Sequence, residues 1–223
     1  MKKYIYDRFN FSNKYKNELI NFLKNFSNAE MGGTKFYDGT NTHYMQNAHE
    51  IVSLIFELKK HEKNKKYKLK SFLEVGYSAG FNNSVINKFF NFDKIVAVDD
   101  VDPAGKNTGT FFSNLRYKNI SLICGDSTSS KTIKNVEKLG GYDFIFIDGG
   151  HAYEVVKNDL KNYRKFLNRN GVIALHDIKS NLPIGVPKFW NEFKKKEGYK
   201  WNIKEFFESG HMIECGIGFL TKK

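Results

Sequence analysis

The sequence predicts an α/β fold: an open, doubly wound sheet, mostly parallel, with an antiparallel C-terminal end and a helical segment ahead of it. Three observations carry this. From Ser71 onward, apolar runs at 71–75, 94–99, 119–124, 142–147 and 171–176 alternate with helical stretches, the repeat from which parallel sheets are built. Several of these runs end abruptly in acidic or imidazole side chains, as at Asp99, Asp148 and His176-Asp177. After the fifth run comes a helix, then two further strand-like runs near 200–206 and 213–220, close enough to pair antiparallel.

The elements follow in order. Residues 1–47 form a separate N-terminal segment, and 48–223 form the main domain. Tyr15, Leu19, Ile20, Phe22 and Leu23 recur at helical spacing in the first part. The stretch MGGTKFYDGTNTHYMQN (31–47) is too polar for a core and too aromatic for a plain linker; it reads as a lid or a substrate-facing loop. A second helix starts near Ala48, with Ile51, Val52, Leu54, Ile55 and Leu58 on one side. Helices are expected at 80–91, about 105–117, 130–139 and 154–167, and again at GVPKFWNEFKKK, where Pro187 suits a first helical turn.

A chain of 223 residues fits one domain with a substantial core. Its net charge of +12 invites a nucleic-acid partner, but only four of 36 basic residues are arginine. Nucleic-acid surfaces favour the bidentate arginine fork, and the lysines are spread among abundant Asn, Ile, Phe and Tyr, as a compositional bias would leave them. Cys124 and Cys215 lie in apolar runs and read as reduced core residues. No apolar run is long enough to span a bilayer, and MKKYIYDRFNF lacks the apolar region of a secretory signal. The expectation is a cytoplasmic protein without a membrane partner; a homo-oligomer is compatible with it.

The richest stretch is 143–178. Two strands joined by a helix deliver Asp148, His151, His176 and Asp177 to one edge of the sheet, the edge where open α/β sheets bind ligands. FLEVGYSAGF (72–81) is a strand, a glycine turn and a helix start. Gly76 permits the turn and Gly80 lets the helix pack closely. Ser78 stands where a pyrophosphate-binding loop has its middle glycine. A ligand with an amino-acid group and a nucleoside is therefore tolerated better than a dinucleotide, with Glu74 near its ammonium; a purely structural turn is the competing reading. Asp99 is spaced to hold ribose hydroxyls, with Asp100 as its competitor. Asp126, beside Ser127, suits an adenine amino group, or alternatively a helix N-cap.

These motifs, taken together, resemble the class I S-adenosylmethionine-dependent methyltransferases over residues 45–220. Among them they are most similar to metal-dependent O-methyltransferases of small molecules: the catechol and caffeoyl-CoA types and relatives that methylate sugars of antibiotics and glycans. The resemblance rests on ExGxxxG (74–80), Asp99, GDS (125–127), IDGGH (147–151), GVIALHD (171–177), GVPKFW (185–190), GIGFL (216–220) and Met45-Gln46. It implies a Rossmann-like fold and S-adenosylmethionine held by Glu74, Gly76, Tyr77, Ser78, Gly80, Asp99, Asp126, Ser127 and Asp148. It also implies a divalent metal, Mg²⁺ or Mn²⁺, on Asp148, His176 and Asp177. The family carries a carboxylate at the His176 position, so imidazole there favours a softer cation than Mg²⁺. Asp148 and His151 would be catalytic, His151 as general base. His43, Tyr44 and Trp190, with Tyr37 and Phe189, would face a small hydroxylated acceptor such as a sugar or nucleotide sugar; burial of Phe189 or Trp190 in the core is the competing reading and is favoured for at least one of them. The Asn/Asp-Pro-Pro-aromatic segment of base-directed amino methyltransferases is missing after the fourth strand. RNA methylation and a hydroxylase-like cofactor-binding relative are the competing functions.

Overall fold

The computed structural model describes residues 13–24, 46–77, 80–90, 92–100, 120–210 and 213–223. His43, Tyr44, Ser78 and the helix expected at 105–117 lie outside these residues. The strands are β1 (Ser71–Val75), β2 (Lys94–Asp99), β3 (Ile120–Cys124), β4 (Tyr142–Ile147), β5 (Leu167–Leu175), β6 (Trp201–Phe206) and β7 (Ile217–Lys222). The helices are α1 (Asn13–Lys24), α2 (Ala48–Lys65), α3 (Phe81–Asn87), α4 (Ser130–Lys138), α5 (Tyr153–Tyr163) and α6 (Val186–Glu197). One seven-stranded sheet runs in the order β3-β2-β1-β4-β5-β7-β6. β1 to β5 pair in parallel, and β7 lies antiparallel to both β5 and β6. The expected Rossmann-like, doubly wound sheet is therefore the observed one. Strand order reverses between β1 and β4, which sets the ligand crevice at their carboxyl ends.

Side chains alternate across the strands, so two cores form. Phe72, Phe144, Phe146, Ala174 and Phe219 meet α1, α2 and α3 on one face. Leu73, Val75, Ile145, Ile147, Ile173 and Leu175 meet α4, α5 and α6 on the other. α2 starts at Asn47, whose side chain accepts from the backbone N–H of His49 at 2.8 Å, a cap suited to asparagine. It stops at Lys66 in a left-handed conformation.

Three expectations need correcting. Trp190 does not face an acceptor. Val186, Phe189, Trp190 and Phe193 form the buried face of α6, spaced as an amphipathic helix requires. The indole is fully buried, stacks over Gly218 and donates to Glu205 Oε1 at 2.7 Å. Cys124 is exposed at the end of the edge strand β3, while Cys215 is buried as expected. The fifth strand starts at Leu167 rather than Gly171, and α5 ends at Tyr163 in a 3₁₀ turn. A register irregularity between Tyr142 and Phe144 accompanies this. There the Asp143 carboxylate accepts from Tyr67, Ser71, Asn168 and the backbone N–H of Lys70, tying together the amino ends of three segments.

Candidate active site

The crevice is assembled from strand ends. At β1, Gly76 has φ +89°, and a Cβ placed on it would lie 2.0 Å from the carbonyl oxygen of Asp148. The loops after β1 and β4 thus touch backbone to backbone, a contact only glycine permits. The N–H groups of Gly76 and Asp148 bond Val98 O and Val75 O at 2.9 and 2.8 Å, so both loops leave the sheet still anchored to it. Gly80 begins α3 in a left-handed conformation, and its N–H bonds Tyr77 O.

At β4 and β5 the four predicted residues do come together. His176 Nδ1 lies 2.9 Å from Asp148 Oδ1 and 3.4 Å from Asp177 Oδ1, and His151 Nε2 lies 3.0 Å from Asp177 Oδ2. The other Asp148 oxygen accepts from Gln46 Nε2 at 2.7 Å and from Asn82 Nδ2 at 3.0 Å. Asp177 holds an uncommon left-handed φ of +62°, of the kind strained functional loops retain. The His151 backbone is fixed from the far side, its carbonyl accepting from the Gly185 N–H at 2.9 Å.

Electrostatics follow from these contacts. Burial pushes the His176 imidazole down, but the Asp148 charge and hydrogen bonds to Asp148 and Asp177 override it, leaving its pKa well above the ordinary value. The hydrogen bond to Asp177 raises His151, against partial burial. Burial pushes Asp177 up, but hydrogen bonds from His151 and His176 win and hold it far below the usual carboxylate range. A cation bound nearby would act on His151 in the opposite sense to the Asp177 contact.

Glu74 is wholly buried on β1, and neither carboxylate oxygen closes a hydrogen bond. Burial raises its pKa well above normal; Asn83 and Asn82 oppose this, while Asp148 and Asp99 add to it. An orphaned buried acceptor in the crevice fits a cationic group of a ligand. Asp99 closes β2 next to β1. Asp126 is exposed, and its Oδ1 accepts from the N–H and hydroxyl of Thr128. It is not the α4 cap; Ser129 is, accepting from Thr132 N. Ser127 is held by its carbonyl, which accepts from Tyr163 Oη at 2.7 Å.

The sequence reading missed Gln46 as an Asp148 partner, Asn82, Asn83 and Asp159. Asn82-Asn83 directly follow the glycine turn, the one signal that was available. Asp159 on α5 is fully buried with both oxygens unpartnered. Burial drives its pKa up to about 6, opposed in part by the Ser127 side chain. The folded state then holds this proton more tightly than the unfolded chain. Its contribution to stability is complete below about pH 4 and lost as pH rises through about 6. Asp159→Asn should remove this loss, on the order of 2–3 kcal/mol at neutral pH. Urea unfolding of both proteins at pH 4.5 and 7.5 checks it: an Asn variant with no advantage at pH 7.5 would refute the buried, unpaired carboxylate.

Comparison with known proteins agrees with this geometry. Residues 73–178, just under half of the chain, match a family described as a methyltransferase domain. An uncharacterized protein, R132, of Acanthamoeba polyphaga mimivirus is 29% identical over 116 residues, 49% of this chain and 52% of the relative. The match thus spans about half the length of that curated relative. The O-methyltransferase TomG of Streptomyces achromogenes, involved in tomaymycin synthesis and solved with S-adenosylmethionine, superposes with TM-score 0.64. It is 8% identical, and the match covers 94% of this chain and 97% of TomG. MycE of the mycinamycin pathway, solved with Mg, S-adenosylhomocysteine and mycinamycin VI, gives TM-score 0.50 at 16% identity. Here the match covers 78% of this chain and 53% of MycE. At these identities the structures establish the fold. Among the described residues no helix is long and apolar enough to cross a membrane.

Proposed function

We propose that this chain transfers the methyl group of S-adenosylmethionine to a hydroxyl of a small molecule, a sugar or glycan precursor, with the help of a divalent cation. The observation that carries this reading is the cluster of Asp148, His151, His176 and Asp177 beside the Gly76 turn, at the point where strand order reverses. Glu74 meets the ammonium of the cofactor, Gly76, Tyr77, Ser78 and Gly80 shape the turn around it, Asp99 holds the ribose, and Asp126 and Ser127 flank the adenine. The sulfonium supplies an electrophilic methyl, so the protein's task is to position it and prepare the acceptor oxygen. A divalent cation, when bound, lowers the pKa of the acceptor hydroxyl. Asp148, His176 and Asp177 offer its donors, and the buried His176 nitrogens, without closed hydrogen bonds, fit such a group. His151, half exposed beside Asp177, takes the hydroxyl proton. The segment 1–47, with His43 and Tyr44, covers the acceptor, while 48–223 holds the chemistry.

Incubation with methyl-labelled S-adenosylmethionine and panels of sugars, nucleotide sugars, catechols and tRNA tests the reading. Label is expected in a sugar-class acceptor and should fall on chelation. Transfer to tRNA alone would replace the reading with RNA methylation, and cofactor binding without transfer to any acceptor would leave a non-transferase relative. Asp99→Ala should weaken cofactor binding by about 1–3 kcal/mol, the cost of an unpaired polar group. Unchanged affinity in calorimetry would move the ribose to Asp100.

A further inference from the structure

We infer that His176, Asp177 and Cys215 form a cation site of mixed nitrogen, oxygen and sulfur donors, and that this corner selects a zinc-type cation over magnesium. Their donor atoms lie within 4.8 Å of one another, and all three residues are buried. Two segments far apart in sequence bring them together. Asp177 follows β5 and Cys215 precedes β7, and the two strands pair antiparallel. Two backbone bonds lock the junction, from Lys179 N to Cys215 O at 2.7 Å and from Ile178 N to Gly216 O at 3.3 Å. The Glu50 carboxylate on α2 braces it from behind, accepting from Gly216 N at 2.8 Å.

A second observation is the His176 ring itself. It is 5% exposed, and neither nitrogen closes a well-directed hydrogen bond. Nδ1 has its close ionic contact with Asp148 Oδ1, which favours a proton on that side and leaves Nε2 as the nitrogen whose proton a cation would replace. A carboxylate behind an imidazole, with the other nitrogen open, is how metal-binding histidines are oriented. In this set Asp148, already engaged by Gln46 and Asn82, orients His176 in place of ligating the cation as in the reading above. Thiolate and imidazole suit Zn²⁺ or Co²⁺, whereas Mg²⁺ requires oxygen donors in an octahedron. Bonds of about 2.0–2.3 Å place tetrahedral donors roughly 3.3–3.8 Å apart, so the corner closes by about 1 Å on binding and keeps a fourth position for an oxygen ligand.

The rival set is Asp148, His151 and Asp177, which also lie within 4.8 Å of one another and offer no sulfur. The inference shares its location with the metal-assisted reading above but is tested without cofactor or acceptor, so the two fail separately. Reduced, metal-free protein without a histidine tag is titrated with Co²⁺. A single equivalent should bind with a thiolate-to-cobalt charge-transfer band in the near ultraviolet and the visible spectrum of a four-coordinate ion. Cys215→Ser should abolish the band and weaken binding roughly tenfold or more, the scale seen when metal sites lose a supporting group. Cys124→Ser should change neither, Zn²⁺ should displace the cobalt, and millimolar Mg²⁺ should not. A wild-type titration without a thiolate band overturns the assignment, whether or not the variant folds. So does a band that survives Cys215→Ser, or displacement by Mg²⁺, which would put the cation on the rival oxygen-rich set.

Discussion

His151→Ala is expected to lower turnover by about 10²–10⁴-fold, the range of general-base help, with S-adenosylmethionine affinity nearly intact. In the proposed reaction the acceptor hydroxyl is a weak acid, and methyl transfer needs its proton removed as the new bond forms. His151 is the one imidazole of the cluster with solvent access, about half exposed, while His176 is buried. Its backbone is pinned through Gly185 and its ring through Asp177, so the side chain is oriented before an acceptor arrives. The cofactor contacts assigned to Glu74, Asp99 and Asp126 belong to other strand ends, which is why affinity and turnover should separate. Single-turnover kinetics with calorimetry make the test. A variant that keeps most of its turnover, with an unchanged pH profile, would transfer the role to His176 or His43.

Gly76→Ala should be strongly damaging. The added carbon would sit 2.0 Å from the Asp148 carbonyl oxygen, 2.4 Å from its carbon and 2.6 Å from Gly149 Cα. All three are backbone atoms of a loop held by the sheet, so nothing flexible can give way. Left-handed strain and overpacking together amount to about 3–5 kcal/mol, and any relief must push the Asp148 loop away from β1. Gly210 is the natural control. It has φ +92° with nothing within 4 Å of the added carbon, so Gly210→Ala bears the backbone term alone, about 1 kcal/mol. Urea midpoints of the two variants should differ widely. Equal, small losses would mean that the β1 and β4 loops do not meet as described.

The sheet was legible because the inner strands β1, β2 and β4, buried along nearly their whole length, are apolar runs with sharp ends. SFLEV, KIVAVD and YDFIFI end where the strands end. The residues at those ends could be read too, and Asp148, His151, His176 and Asp177 do converge. What sequence could not supply was the set of partners chosen by packing. Nothing in GVPKFW distinguishes a tryptophan facing a ligand from one filling the space above Gly218; only the pairing of β7 decides it. Gln46 reaches Asp148 across 102 positions, and no local pattern encodes such a contact. Cys215 looked inert because its apolar neighbours gave no hint of the imidazole across the strand pair. Nothing in the helical pattern marks Asp159, and its burial follows from how α5 lies against the sheet.

The placement of β7 between β5 and β6 also orders events during folding. β1 to β5 pair without it, but the turn carrying Asp177 also bonds residues 215 and 216, through Ile178 N and Lys179 N. Joining them closes a further loop, at an entropic cost of its own. The left-handed Asp177 therefore lacks these braces until β7 docks, and a chain with its parallel strands already formed still lacks the corner where His176, Asp177 and Cys215 meet. Chemistry at this corner waits for a complete sheet, so an unfinished fold would have the crevice without the means to use it.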